Sequence, residues 1–197
     1  MKTLLRAGAA LQHVLAAHHW RYCFIGGIAN YRWGTPRLTN DLDLTLLTGF
    51  GDEAKYVDEL LQEFGSRIPD AAQFAATNRV LLLRTPDGFG IDVALGAMPF
   101  EERTIERASM FEFLPGATLR TCSADDLIVH KAFAARPQDW VDIEGVIIKQ
   151  RGVLNWTQIR TELAELAALK EEPELLDQLE RIADRAASVI GPFNRNT

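Results

Sequence analysis

Asp41 and Asp43 stand one residue apart in Asp41-Leu42-Asp43-Leu44-Thr45-Leu46-Leu47, where polar and apolar residues alternate. Period two predicts a strand, and on a strand residues i and i+2 leave from one face. Two carboxylates side by side repel, and packing gives no reason for them. A divalent cation offsets that repulsion, and Mg²⁺ prefers carboxylate oxygens together with phosphates and water. A bare Asp-x-Asp is also what a solvated strand end looks like, so context decides. A third aspartate, Asp92, lies inside the apolar run Phe89-Gly90-Ile91-Asp92-Val93-Ala94-Leu95. There a carboxylate is costly to bury unless it is paired or metal-bound. Gly26-Gly27 closes an earlier apolar run and precedes a short predicted helix. Glycines at a strand-to-helix turn let the backbone approach a phosphate, and a helix N-terminus favours negative charge. Arg37 and Thr39, just before the pair, are each placed to touch a phosphate oxygen. Three carboxylates on neighbouring strands beside a glycine turn suit two metals that clamp the attacking and leaving oxygens of a phosphoryl or nucleotidyl displacement.

A second group lies further along. Lys131 is one of only five lysines against sixteen arginines, and it sits in an apolar helix. It is either a functional cation or a snorkelling lysine. Asp139 and Asp142 are spaced i, i+3 and share a helix face. Arg136 is either a phosphate contact or, more ordinarily, their ion-pair partner. Tyr31 and Trp33 have the rings to stack on a base, though core packing is the plainer reading. The histidines lack zinc spacing and read as packing or surface residues. Cys23 and Cys122 give neither a disulfide framework nor a metal spacing.

The elements that must position these residues follow from periodicity. A helix is expected over 3–17, a buried strand over 21–25, a short helix over 28–33 and a strand over 41–47. A helix over 52–64 precedes two strands, 79–84 and 89–95, joined by Thr85-Pro86-Asp87-Gly88. Strands at 110–113 and 117–121 flank Pro115-Gly116. Ser123 to Asp126 reads as a capping box opening a helix that runs to about 135. Pro137 suits the first turn of the next helix, to about 150, with Gly152 as its stop. Two more helices follow, at about 155–169 and 173–188. Strands thus fill the first part and helices the rest, giving an α+β (α/β) class: a mixed β-sheet flanked by helices, with a C-terminal helical subdomain. The expected boundary is near Thr121, dividing a core of residues 1–121 from a helical part of 122–197.

Composition narrows the functional classes. The chain has 197 residues, 47% hydrophobic and 24% charged, which excludes a disordered or disulfide-scaffold protein. No apolar run reaches the ~18 residues of a membrane span, and residues 1–17 read as a helix without a signal peptide's cleavage site. A cytoplasmic protein is expected. The net charge of −6 argues against a broad nucleic-acid surface. Residues 1–40, however, hold no Asp or Glu and five basic residues: Lys2, Arg6, Arg21, Arg32 and Arg37. Residues 162–184 hold eight acidic residues, read as a solvated face of the late helices.

As a set, Gly26-Gly27, Arg37-Leu38-Thr39-Asn40-Asp41-Leu42-Asp43-Leu44 and Gly90-Ile91-Asp92-Val93 resemble the DNA polymerase β nucleotidyltransferase superfamily. The resemblance covers about residues 21–95. The later run Lys131-Ala-Phe-Ala-Ala-Arg136-Pro-Gln-Asp139-Trp-Val-Asp142-Ile resembles the AbiEii-like, abortive-infection toxin branch. The resemblance implies a nucleotidyltransferase in which Asp41, Asp43 and Asp92 hold Mg²⁺. Gly26 and Gly27 then face the nucleotide phosphates and Lys131 contacts the triphosphate. Asp139 or Asp142 is the second-helix carboxylate, and the motif does not choose between them. It also implies an NTP substrate, transfer RNA or another RNA end as acceptor, and a cognate antitoxin as partner. Two alternatives remain at this point: an aminoglycoside- or lincosamide-type small-molecule nucleotidyltransferase, and a non-catalytic nucleotide-binding module.

Overall fold

The computed structural model describes residues 1–195. The chain divides into two compact units, one of Met1–Ile28 and Leu38–Cys122, the other of Ala29–Arg37 and the chain from Ser123 onward.

The first unit is built on seven strands: β1 (Tyr22–Phe24), β2 (Asp41–Leu47), β3 (Gly65–Ser66), β4 (Val80–Arg84), β5 (Gly90–Gly96), β6 (Ser109–Leu114) and β7 (Ala117–Thr121). Their order across the sheet is β3-β4-β5-β2-β1-β7-β6. The β2–β5 and β1–β7 pairs are parallel and the others antiparallel. The alternation read in residues 41–47 has its physical counterpart: Leu42, Leu44 and Leu46 are fully buried. They join Leu81, Leu83, Ile91 and Val93 in a core closed by Leu4, Leu11 and Leu15 of α1 (Lys2–Ala17) and by Val57 and Leu60 of α3 (Glu53–Glu63). Asp41 and Asp43 leave from the opposite face, exposed and half-buried respectively.

Helices interleave with the strands here, so the first 121 residues are not mainly strand. α4 (Ala71–Asn78) and α5 (Pro99–Arg107) escaped the sequence pattern for physical reasons. α4 is an alanine-rich two-turn helix whose flanking residues, Asp70 and Arg79, both have positive φ. α5 is mostly charged and buries only Phe100, Thr104 and Ile105; Glu101 secures it by accepting from the backbone N–H groups of Ala97 and Met98 at 2.8 and 2.9 Å. β3, two residues long, is too short to carry a period.

The second unit holds α6 (Ala124–Ala134), α7 (Pro137–Lys149), α8 (Trp156–Lys170) and α9 (Glu174–Ile190). Its buried residues include Leu127, Ile128, Ile143, Ile147, Trp156, Leu163 and Leu179. Ser123 caps α6 as read, its hydroxyl accepting from the Asp126 N–H at 3.1 Å. Helix α2 (Gly26–Trp33) starts two residues earlier than expected, and its residues from Ala29 onward belong to this unit. The last carbonyls of α2 and the turn after it, unsatisfied at any helix end, accept from α7: Lys149 donates to the Arg32 and Gly34 carbonyls at 3.0 Å each, and Gln150 to the Trp33 carbonyl at 2.8 Å.

The charges of the two ends are partly engaged within the fold. Arg21 pairs with Glu102 at 2.9 Å and Glu106 at 3.4 Å, Arg32 lies 4.0 Å over the Trp33 ring, and Arg37 pairs with Asp142. The late acidic residues are mostly exposed, as read; Glu162 is buried, and Glu180 and Asp184 pair with Arg160 and Arg195. Among the described residues no helix is long and apolar enough to cross a membrane.

Candidate active site

The parallel pairing of β2 with β5 sets Asp43 directly opposite Asp92, and Asp41 opposite Gly90. In-register partners project from the same face, so the three carboxylates share one face of the sheet. Asp43 is held against the turn that opens α2, where the Gly27 N–H donates to its Oδ2 at 3.3 Å. Gly26 has φ +54° and lies against the same carboxylate: a Cβ there would sit 2.1 Å from Asp43 Oδ2. Both the backbone angle and the contact require glycine. The Thr39 side chain lies against Gly27, and its hydroxyl approaches the Asp41 carbonyl at 3.4 Å. Gly26, Gly27, Thr39, Asp41, Asp43 and Asp92 are thus brought together within the first unit.

Arg67, which the sequence did not single out, joins this face. Leu82 stands opposite Asp92 in the β4–β5 pair, and the Arg67 N–H donates to the Leu82 carbonyl at 3.1 Å. From this extension of the β3–β4 ladder the guanidinium reaches over to the acids. Nη2 is 2.5 Å from Asp92 Oδ1 and Nη1 is 3.7 Å from Asp41 Oδ1. Gly90 is the floor beneath the pair: a Cβ there would stand 2.2 Å from Asp41 Oδ1 and 2.4 Å from Arg67 Nη1. A lone arginine in a short irregular stretch carries no period and no spacing, which is why it was missed.

The remaining candidates gather in the second unit. Lys131, almost fully buried, donates to Asp139 Oδ1 at 2.9 Å and Asp142 Oδ2 at 2.7 Å. Arg37 grips Asp142 from both sides: Nε donates at 3.0 and 3.1 Å to its two oxygens, and Nη2 at 2.9 Å to Oδ2. Gln138 adds a bond to Oδ1 at 3.0 Å. Asp142 is the hub, whereas Asp139 binds Lys131 alone and leaves a buried Oδ2 without a hydrogen bond. Burial pushes the Asp142 carboxyl up, but Arg37, Lys131 and Gln138 outweigh it and hold its pKa below the ordinary range. One reading changes. Arg136, exposed at the start of α7, is not the partner of these aspartates; Lys131 and Arg37 are. Arg37 is engaged by a carboxylate in this structure, with its side chain 36% exposed.

The acidic face offers a metal ion oxygen donors. Carboxylate oxygens are the hard ligands Mg²⁺ takes. Asp92 Oδ1 is buried and, although in ion-pair contact with Arg67, makes no hydrogen bond of acceptable angle. It is an oxygen with coordinating capacity left over. As they stand, no three acidic, histidine or cysteine side chains among the described residues converge on one point, and Asp41 and Asp92 both lie against Arg67. The donors fit Mg²⁺ by their chemistry, while the cation between two of them is a guanidinium.

Residues 9–187 match the family described as "Nucleotidyl transferase AbiEii toxin, Type IV TA system". The chain belongs to this family. AbiEii membership makes the protein a nucleotidyltransferase and agrees with both resemblances read from its motifs. No curated protein matches it in sequence. Its fold is similar to that of an antigenic nucleotidyltransferase-like protein from Paracoccidioides brasiliensis, at TM-score 0.53 and 18% identity, over 90% of this chain and 92% of that one. It is also similar to the antibiotic-resistance factor ANT(2'')-Ia, at TM-score 0.54 and 16% identity, over 91% and 98%. At such identities the likeness establishes the nucleotidyltransferase α+β fold and nothing finer.

Proposed function

We propose that this AbiEii-family protein moves a nucleoside monophosphate from an NTP to an acceptor hydroxyl. The new bond joins the acceptor oxygen to the α-phosphorus, the α–β bridge bond breaks, and pyrophosphate leaves. The observation that carries the reading is the in-register Asp43–Asp92 pair, with Asp41 on the same face and the Gly26-Gly27 turn against Asp43. Asp41, Asp43 and Asp92 would hold Mg²⁺, which neutralises the triphosphate and polarises the reacting oxygens. The Gly26-Gly27 backbone approaches the phosphates at the start of α2. Asp92 accepts the proton from the attacking hydroxyl. Phosphoryl chemistry is mainly positioning and charge neutralisation, so this inventory suffices. Lys131 supplies a cation for the triphosphate, oriented by Asp139 and Asp142. The catalytic core is assigned to residues 1–121 and the helical subdomain, which carries Lys131, Asp139 and Asp142, to 122–197.

The family's description as a type IV toxin supports an antitoxin partner and a nucleotide substrate; an RNA end as acceptor and a cytoplasmic setting are part of our proposal. The test is label transfer from α-³²P-NTPs in the presence of total RNA, a small-molecule panel or neither, with and without EDTA. Label on RNA that is lost with EDTA and in Asp43→Asn supports the proposal. Metal-independent transfer, or label on small molecules only, refutes the corresponding part.

A further inference from the structure

We infer that Arg67 is an internal counter-cation which holds the acidic face against bare metal and hands it over when a triphosphate arrives. The inference rests on the proposed nucleotidyl transfer and assigns a positioning role to a residue that neither the motifs nor the family description singles out.

The argument begins with placement. Strands lie about 4.8 Å apart, so Arg67, two strands from Asp92, reaches it only with its side chain extended across the position of Leu82. It does so, and one guanidinium contacts both Asp92 Oδ1 (2.5 Å) and Asp41 Oδ1 (3.7 Å). Those are oxygens that the proposed metal would use. The contact is built into the sheet, since any side chain at position 90 would collide with both partners. Arg67 offsets the repulsion between Asp41 and Asp92, two carboxylates on one face of the sheet. A guanidinium suits this role because it always carries charge and forks toward two carboxylates at once.

The same contact makes bare metal a competitor. Mg²⁺ or Mn²⁺ must displace Arg67 and leave a cation beside a cation. A triphosphate changes this balance, because its oxygens offer the guanidinium a bidentate partner of at least equal quality. Arg67 is suited to the exchange: its side chain is 28% exposed and it follows a two-residue edge strand. Metal and nucleotide therefore bind with positive coupling, and by linkage each raises the other's affinity equally.

The experiment measures Mn²⁺ affinity by electron paramagnetic resonance, with and without a non-hydrolysable NTP analogue. It compares wild type, Arg67→Ala, Arg67→Gln and Asp43→Asn. Losing one competing ion-pair contact should tighten nucleotide-free Mn²⁺ binding about tenfold in both Arg67 variants. The analogue should sharpen Mn²⁺ binding in wild type and much less in the variants. Either variant suffices if the other fails to fold. Equal Mn²⁺ affinity in wild type and the Arg67 variants, with binding lost in Asp43→Asn, overturns this inference alone and leaves nucleotidyl transfer standing. Mn²⁺ binding by none of the proteins, with or without the analogue, overturns both.

Discussion

Asp142 concentrates more charge chemistry than any other residue of the helical unit. Its carboxylate accepts from Arg37, Lys131 and Gln138, and its pKa is held below the ordinary value of 3.8. A group whose pKa is lowered on folding adds stability that is present above the unfolded value and lost as pH falls through the folded one. Asp142→Asn should therefore melt well below wild type at pH 7, and the gap should narrow as pH drops below about 4. Thermal melts from pH 7 to pH 3 check this; a constant gap would mean that the lost stability is not the titrating ion pair. Lys131→Ala strands the buried Asp139 and takes one donor from Asp142, which keeps Arg37 and Gln138; breaking a buried pair in this way costs about 3–5 kcal/mol. Urea unfolding should show a loss of that size beside any loss of transfer. Lys131 was legible because a charge in an apolar helix violates its pattern, and Asp139 and Asp142 by their shared-face spacing and the family resemblance. Arg37 and Arg67 were legible only as charges, since their partners lie 105 residues away or on another strand. Pairing at such distances leaves no trace in spacing.

Among the elements, those with a clean period were the readable ones. β2 and β7 occupy the expected residues, because alternation over a half-buried strand is forced by the pleat. α4, α5 and β3 were not readable, being too short or too polar to show which face is inside. α6 was marked by its cap, and the cap has a measurable worth. Besides accepting from the Asp126 N–H, the Ser123 hydroxyl donates to the Asp126 carboxylate at 2.6 Å. Ser123→Ala should cost about 1 kcal/mol, or about 2–4 °C in Tm for a chain of this size. Calorimetry decides it, and an unchanged Tm would place the start of α6 under packing control.

Across the whole molecule the chain passes from one compact unit to the other three times, because Ala29–Arg37 belongs with the helices that follow Ser123. A fragment of residues 122–197 alone would lack Arg37 against Asp142 and the carbonyls of Arg32, Trp33 and Gly34 that Lys149 and Gln150 engage. We expect that fragment to show helix by circular dichroism but no cooperative melt, with cooperativity returning when residues 29–37 are supplied by the full chain. A sharp transition in the fragment would show that the inserted segment is dispensable. The separation of Arg37 from Asp142 also has a meaning in time. At the ~5–20 residues per second of synthesis, Asp142 is made about 5–20 s after Arg37. Over that interval Arg37 has not yet met Asp142, while the nearby strand, β2, already has its leucines to bury. The Arg37–Asp142–Lys131 junction is assembled only when translation of this chain is well advanced, so the competence proposed for the enzyme is a late product of its own synthesis.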